Sequence, residues 1–196
     1  ASSFAGLVAG ALAGFFGGWV DFLVLRAIEV LQSIPALFLV LLAMAFSDPR
    51  VVSPLLTIIV LIAFVRWTGA ARLVRGEFLR LRDREYVLAA RSLGYSPIRL
   101  MGRHILPNAL GPILVHAAFG VSASILTESA ISFLGLGVQA PEASWGALIN
   151  QSKDPSRWWI QLFPGLCIFL TVTCYNLVGD AVRDALDPKA ERRILA

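Results

Sequence analysis

Few side chains in this 196-residue chain could take part in catalysis or bind a polar ligand, and Glu128 is the main candidate. It lies in the stretch ASILTESAISF, inside an apolar run at about residues 108–135. An ionisable group in lipid costs about 2.5–3.5 kcal/mol on insertion scales and normally faces an interior or a cavity. Two interpretations stay open. Glu128 either lines a polar path or meets a paired subunit, or it is a protonated, hydrogen-bonded structural glutamate.

The histidines and the glycine-rich stretches form no catalytic or metal-binding motif. His104 and His116 are twelve residues apart, with no cysteine or carboxylate at ligand spacing, whereas zinc or nickel needs three or four convergent ligands. The sequence has no G-x-x-x-x-G-K-[S/T] phosphate-binding loop, and GLGVQ at residues 135–139 lacks the lysine and predicts a helix end. We therefore predict no catalytic residue, no metal site and no bound cofactor, so the chain is not expected to be an enzyme.

The composition indicates that these side chains belong to a membrane protein. Hydrophobic residues make up 57% of the chain and the mean hydropathy is +0.74, against roughly 45–50% apolar residues in soluble domains. A spanning helix needs ~20 mainly apolar residues. We predict an all-α, polytopic bundle of about five transmembrane helices in a lipid bilayer. The apolar segments lie at about residues 4–19, 28–46, 54–71, 108–135 and 159–182.

The first segment, GLVAGALAGFFGG, is rich in glycine and alanine. Small residues let helices approach closely in lipid, so we predict close helix packing here. The chain starts in this apolar sequence, without an initiating methionine and without the basic start of a signal peptide. We interpret residues 1–196 as one membrane domain that is truncated at its N-terminus.

The distribution of basic residues predicts the orientation. Residues 66–103 contain nine arginines and no lysine, and the tail after residue 182 adds four basic residues. The loops at residues 47–54 and 138–159 together hold only three. Because positive loops stay on the cytoplasmic side, we predict a cytoplasmic loop at about residues 72–106, a cytoplasmic C-terminus and an external loop at about residues 138–159. The same rule accounts for the charge without nucleic-acid binding.

The cytoplasmic loop contains the pattern of a helix followed by a tight turn. Tyr86, Ala89, Ala90 and Leu93 are spaced as one stripe of a short helix. Gly94 follows, and glycine adopts a positive φ at little cost. The spacing therefore predicts a helix that ends in a glycine turn.

A second short helix is expected after this turn. Ser96 is predicted to cap it and Pro97 to take its first helical position. An apolar stripe runs from Ile98 to Ile105, and Pro107 predicts a break before the fourth span. Together the two short helices and their turn form a hairpin at residues 85–106. From the residues alone, this hairpin either docks its apolar ridge into a groove on a partner or lies on anionic lipid, held by its arginines.

The stretch EYVLAARSLGYSPIRLMGRHILPN, residues 85–108, resembles the cytoplasmic EAA loop of ABC importer permeases. The pattern of that loop is Glu-Ala-Ala, three residues, Gly, nine residues, Ile, one residue and Leu-Pro. Ala89, Ala90, Gly94 and the pair at residues 106–107 match it.

Two positions depart from this pattern. Leu88 stands where the family usually has glutamate, and this leaves open any polar contact which that glutamate makes. His104 stands where the general pattern has isoleucine, and RHILPN is similar to the dipeptide/oligopeptide/nickel branch of the family. Further resemblance to that branch extends from about residue 17 to residue 188. Its motifs are GGWVD (17–21), SFLGLGVQ (132–139), SWGALI (144–149), LFPGL (162–166) and NLVGDAVRDALDP (176–188).

The resemblance implies a permease subunit that couples ATP hydrolysis by a partner to alternating access. It implies di- or oligopeptides as the substrate, with nickel as the alternative. ATP and Mg²⁺ are then expected in an ATP-binding subunit, beside a second homologous permease and an external solute-binding protein. The implied location is the cytoplasmic membrane of a bacterium or archaeon.

The resemblance also implies which residues meet the ATP-binding subunit. They are Tyr86, Ala89, Ala90, Gly94, Ser96, Pro97, Ile98, His104, Leu106 and Pro107. Within this set His104 is expected on the polar face of the hairpin. Glu128 becomes a candidate for the translocation path or for a contact to the second permease.

A different class of protein also stays open, namely a secondary transporter or a membrane scaffold that uses no ATP. Inverted repeats with paired broken helices would favour a secondary transporter, and no convincing internal repeat is evident. Nucleotide dependence of transport discriminates between these classes.

Overall fold

The computed structural model describes residues 2–35, 38–39, 42–43, 46, 53–138, 142–152 and 155–186. Regular structure in this part of the chain is helical. The elements are α1 (Ser2–Phe16), α2 (Gly18–Gln32), α3 (Pro54–Arg82), α4 (Glu85–Ser92), α5 (Pro97–Arg99), a π-helical segment (Leu100–Ile105), α6 (Leu106–Phe133), α7 (Trp145–Gln151), a 3₁₀ turn (Pro155–Arg157) and α8 (Trp159–Leu186).

Long apolar helices confirm the all-α membrane architecture. Within the described residues, three helical stretches have the length and composition to cross a membrane: Leu55–Arg82, Pro97–Phe133 and Trp159–Leu186. α1 is a shorter apolar helix. The predicted second span at residues 28–46 is described only in part, and the loop at residues 47–52 and the tail from residue 187 lie outside the described residues.

The exposed side chains on these helices also indicate a membrane protein. Large apolar side chains such as Phe64, Leu114 and Phe169 are exposed on the surface of the chain. Exposed apolar surface on this scale is typical of a protein that contacts lipid or partner helices. α3 continues to Arg82, beyond the predicted limit at residue 71, so residues 72–82 of the expected cytoplasmic loop are helical.

The described residues fall into two compact units. The first comprises residues 2–33, 65–117 and 180–186, and the second comprises residues 34–64 and 118–179 where they are described. α3, α6 and α8 each contribute residues to both units.

In the first unit, α1 packs against α3 through glycines. A Cβ added at Gly6 would lie 2.5 Å from the Cβ of Ala70, and one at Gly14 would lie 2.7 Å from the carbonyl oxygen of Arg75. Gly10 approaches the Ala71 carbonyl in the same way. The close packing predicted from the glycine-rich sequence is present, because only a hydrogen side chain fits at these contacts.

In the second unit, α7 packs on the end of α6. Gly146 of α7 meets the backbone of Ser129 so closely that a side chain would clash with the Ser129 carbonyl. The side chain of Ser144 caps α7 by accepting a hydrogen bond from the Ala147 N–H at 3.1 Å. α6 itself ends at Phe133, and Gly135 follows with φ of +79°, as expected for a glycine helix end.

Candidate functional site

The first turn of the hairpin at residues 85–106 has the geometry of a glycine C-cap. Gly94 has φ of +81°. Its N–H donates to the Arg91 carbonyl at 2.9 Å, and the Tyr95 N–H donates to the Ala90 carbonyl at 3.3 Å. These two bonds form a Schellman motif, which satisfies carbonyls that a helix end leaves free. The predicted helix and glycine turn are both present.

The second arm of the hairpin differs from the expectation. Pro97 occupies the first helical turn, as predicted, and Ser96 precedes it with an extended backbone. The Ser96 side chain, however, makes no capping hydrogen bond.

The predicted break at Pro107 is wrong. The chain passes through the π-helical segment into α6 without interruption, and the Leu106 N–H bonds to the Met101 carbonyl. The Asn108 side chain donates to the His104 carbonyl at 2.8 Å. The helix therefore continues through Pro107, a residue type that normally ends a helix, because the wider π turn and the Asn108 side-chain bond accommodate it.

The inner face of the hairpin is buried in the first unit. Its side chains belong to a core with Ala11 and Phe15 of α1 and with α3. From the hairpin this core contains Val87, Ala90, Leu100 and Ile105; from α3 it contains Val74, Phe78 and Leu81. The predicted stripe therefore does not form one face, because Ala90 points inward while Tyr86 and Leu93 are exposed. The burial of Ala90 removes it from the surface that a partner can reach.

The outer face of the hairpin is apolar and exposed. Ile98 is 83% exposed and Leu93 76% exposed, and Leu88 is also exposed at the position of the family's glutamate. The other exposed members of the predicted interface are Tyr86, Ala89, Gly94, Ser96, Pro97 and Pro107. A fixed hairpin with protruding apolar side chains can fit a groove on another protein.

His104 and Leu106 are half-buried. The His104 ring lies 5.4 Å from the ring of Tyr95, and its Nε2 atom has no hydrogen-bond partner among the described residues. The exposed polar position expected for His104 is therefore not observed. The Arg99 guanidinium lies 5.4 Å from the centre of the Tyr95 ring.

An ion pair between α2 and α3 was not predicted from the sequence. The Asp21 carboxylate accepts two hydrogen bonds from Arg75, from Nε to Oδ1 and, at 2.6 Å, from Nη2 to Oδ2. These hydrogen bonds hold the pKa of Asp21 below its ordinary value, and the charges of Arg75 and Arg82 act in the same direction against partial burial. The signal in the sequence that could have indicated such a pair was the charged residue Asp21 beside an apolar segment.

Glu128 lies in the second unit, away from the hairpin sequence. Both of its carboxyl oxygens accept hydrogen bonds, from Ser132 at 2.7 Å and from Ser129 at 3.5 Å. Ser132 also accepts a hydrogen bond from the Val138 N–H at 3.1 Å, so its single proton is directed to Glu128. Glu128 borders a cavity of about 400 Å³ whose described lining contains no basic side chain: Leu55, Glu128, Val138, Glu142, Ala143, Ser144, Trp145 and Leu148.

The described residues show no group of three or more His, Cys, Asp or Glu side chains that could hold a metal ion. Cys167 and Cys174, both on α8, are free and exposed. The described residues thus present an exposed apolar surface on the hairpin and a cavity bordered by the carboxyl groups of Glu128 and Glu142.

The sequence of this chain matches a known protein family over nearly its whole length. Residues 6–192 match the family described as binding-protein-dependent transport system inner membrane component. The chain belongs to this family. The resemblance noted in the sequence is thereby confirmed.

Relatives within this inner membrane component family are similar over most of the chain. The dipeptide transport system permease protein DppC of Bacillus subtilis is 42% identical over 190 residues, 95% of this chain and 58% of that protein. The oligopeptide transport system permease protein OppC of Escherichia coli K12 is 42% identical over 175 residues, 88% of this chain and 57% of that protein. The chain thus spans less than two thirds of the length of these relatives.

A solved structure shares the fold. A chain of the methionine ABC transporter MetNI, in an inward-facing conformation, superposes with a TM-score of 0.74 over 95% of this chain and 89% of that chain. Its sequence identity is 19%, so the likeness concerns the arrangement of helices alone.

Proposed function

We propose that this chain is the permease subunit of an ATP-driven importer and that it couples ATP hydrolysis by a partner to alternating access. The observation that carries the proposal is the outer face of the hairpin. Leu93 and Ile98 protrude from a hairpin whose inner face is locked into the core. A rigid support with exposed apolar side chains is suited to receive force from a docked protein, since little motion is lost within the support.

We propose di- and oligopeptides as the substrate. The relatives are named as dipeptide and oligopeptide transport system permease proteins, and these names favour peptides over the nickel alternative. An external solute-binding protein and a second, homologous permease complete the proposed assembly. ATP and Mg²⁺ belong to the ATP-binding subunit in this scheme.

The proposed location is the cytoplasmic membrane, with the hairpin and the C-terminus on the cytoplasmic side. The support is the crowding of nine arginines into residues 66–103 together with the positive-inside rule. Glu128 is proposed to line the translocation path, because its carboxylate borders a cavity without a basic lining residue.

The first test is co-purification of the natural, full-length protein from its own membranes in mild detergent. We expect an ATPase with a phosphate-binding loop to accompany the unaltered protein and to be lost in Ile98→Glu, because a charge at the apolar docking surface is costly to bury. Leu186→Glu is the matched control, since Leu186 is an exposed leucine at the end of α8, and it should retain the ATPase.

Uptake measured after reconstitution completes this test. Uptake of a labelled dipeptide that depends on ATP supports the proposal. Uptake that proceeds at the same rate without nucleotide would show a secondary transporter, and an ATPase retained equally by Ile98→Glu would remove the hairpin from the interface.

A further inference from the structure

The connection between α1 and α2 is a sharp elbow made by two glycines. Gly17 has φ of +66° and Gly18 has φ of +54°, a backbone conformation that other residues adopt only with strain. This elbow turns the chain so that the first turn of α2 meets the side of α3. Asp21 is thereby placed opposite Arg75.

Polar contacts fasten the elbow to α3 on both sides. On the α2 side, Arg75 holds Asp21 through two parallel hydrogen bonds, and the two side chains are only 25% and 18% exposed. On the α1 side, Arg82 donates to the Gly14 carbonyl at 3.1 Å. A forked guanidinium–carboxylate pair is among the more directional contacts in proteins, and partial burial strengthens it.

The far end of α2 is attached to the same helix. The Gln32 side chain donates to the Thr68 hydroxyl at 3.1 Å. α2 is therefore held to α3 near its start and at its end, by contacts whose direction fixes both its position and its rotation. α2 exposes apolar side chains such as Phe22 and Leu23 and buries Ile28, so the polar contacts act together with Ile28 in setting which face of α2 packs inward.

The hairpin is anchored on the same stretch of α3. Phe78 and Leu81 lie between Arg75 and the end of the helix and pack with the inner face of the hairpin, together with Phe15 of α1. The Arg91 guanidinium of the hairpin lies 5.9 Å from the centre of the Phe15 ring. The hairpin and the Asp21–Arg75 pair are therefore attached to the same stretch of α3.

We propose that the Asp21–Arg75 pair is a positioning contact that makes α2 move with the coupling hairpin. This inference rests on the proposed function, in which an ATP-binding subunit displaces the hairpin. The pair itself is not on the hairpin. It acts by transmitting a displacement, so its loss leaves the docking surface intact and lowers the amount of transport obtained for each ATP hydrolysed.

The matched variants are Asp21→Asn and Glu29→Gln in the complete transporter. Asp21→Asn keeps the shape of the side chain and removes its charge. Glu29→Gln removes a carboxylate from the same helix, but from an exposed pair with Arg26 whose side chains are 57% and 68% exposed. We expect Asp21→Asn to lower peptide uptake per ATP hydrolysed about fivefold or more, the lower end of couplings between sites. Glu29→Gln should leave the ratio unchanged, and both variants should co-purify with the ATPase.

A distance measurement reports the motion directly. Spin labels are placed at Leu23→Cys and Gly102→Cys after Cys167 and Cys174 are replaced by alanine; Leu23 is exposed, and nothing lies within 4 Å of a Cβ at Gly102. With Asp21 intact, the distance between the labels should be the same with and without a non-hydrolysable ATP analogue. With Asp21→Asn, the distribution should broaden or shift when the analogue binds.

Two results would overturn the inference. One is an Asp21→Asn protein with an unchanged ratio and an unchanged label distance; the other is a label distance that already changes with nucleotide in the unaltered protein. Arg75→Lys, which keeps the charge and loses the fork, should give a smaller defect of the same kind and serves if Asp21→Asn fails to fold. Absence of ATP-dependent uptake in the unaltered transporter would instead contradict the proposed function, and the inference with it.

Discussion

Glu128 shows how a single carboxyl group is kept in an apolar helix. Ser129 and Ser132, both buried on α6, donate to its two oxygens. These hydrogen bonds offset part of the cost of placing the group inside a span. The serines lie one and four residues away on the same helix, so the sequence ESAIS contains the whole arrangement. What the sequence does not give is the cavity, which forms only when the segment at residues 142–148 packs beside the helix.

We expect Glu128→Gln to lower ATP-dependent peptide uptake about tenfold, because the amide nitrogen cannot accept the serine hydrogen bond that a carboxyl oxygen accepts, and a buried donor left without a partner costs about 1–3 kcal/mol. The glutamine keeps the size of the side chain and should leave assembly with the ATPase unchanged. Uptake into proteoliposomes is the measurement, with Glu29→Gln as a control. Uptake equal to that of the unaltered protein would make Glu128 a structural residue.

Gly94 is required for its backbone and not for space. Nothing lies within 4 Å of a Cβ built on it, yet its φ is +81°. We expect Gly94→Ala to destabilise the hairpin by about 1–2 kcal/mol. Gly102→Ala is the matched control, because Gly102 has equal space and no positive φ, and it should be neutral or stabilising by about 0.5–1 kcal/mol. Thermal unfolding in detergent compares them; equal transitions for the two variants would argue against a strained turn.

At the scale of elements, the contacts between α1 and α3 depend on a glycine at about every turn of α1, at Gly6, Gly10 and Gly14. A side chain at Gly10 would meet the carbonyl of Ala71 and the Cβ of Val74. We expect Gly10→Ala to destabilise the chain by about 1–3 kcal/mol, the usual range for overpacking. Gly76→Ala on α3 is the control, because open space surrounds its Cβ. Loss of stability in both variants alike would show that helix packing is not the cause.

Sequence patterns predicted the elements that depend on neighbouring residues. The helix before Gly94, the turn itself and the helix end at Gly135 each follow from local backbone chemistry. The inward orientation of Ala90 could not be predicted from its stripe, because α1 and α3 decide which face is covered. The helix break predicted at Pro107 was wrong, because residue spacing does not indicate where a π-helical turn will form. The Asp21–Arg75 pair joins residues far apart in the chain and needs the fold to bring them together.

At the scale of the whole molecule, the orientation in the membrane can be tested with single cysteines. After removal of the two natural cysteines, we expect Gln151→Cys to react with a membrane-impermeant maleimide in intact cells. Gly102→Cys should react only after the membrane is permeabilised, because we propose that the arginine-rich segment lies in the cytoplasm. Both positions are exposed in the structure. The reverse pattern of labelling would invert the proposed topology.

The membrane-length helices and the connection between two of them differ in what their sequences must specify. Three stretches of the described chain can span the bilayer, and their lipid-facing side chains require only apolar character. The connection between helices at residues 83–105 carries specific turn geometry, a buried inner side and an exposed outer side. The geometry that depends on particular residues is therefore concentrated in this short connection.

The two sides of the hairpin have a consequence for evolution. Val87, Ala90, Leu100 and Ile105 are fixed by the core, whereas Leu93 and Ile98 are exposed and free to vary without disturbing it. Substitutions on the exposed side can therefore change which partner surface fits the hairpin, while the buried side keeps the hairpin packed on the core. If the proposed function holds, a duplicated copy of this subunit could dock a different ATP-binding subunit after a few substitutions at Leu93 and Ile98, because the buried side of the hairpin would not have to change.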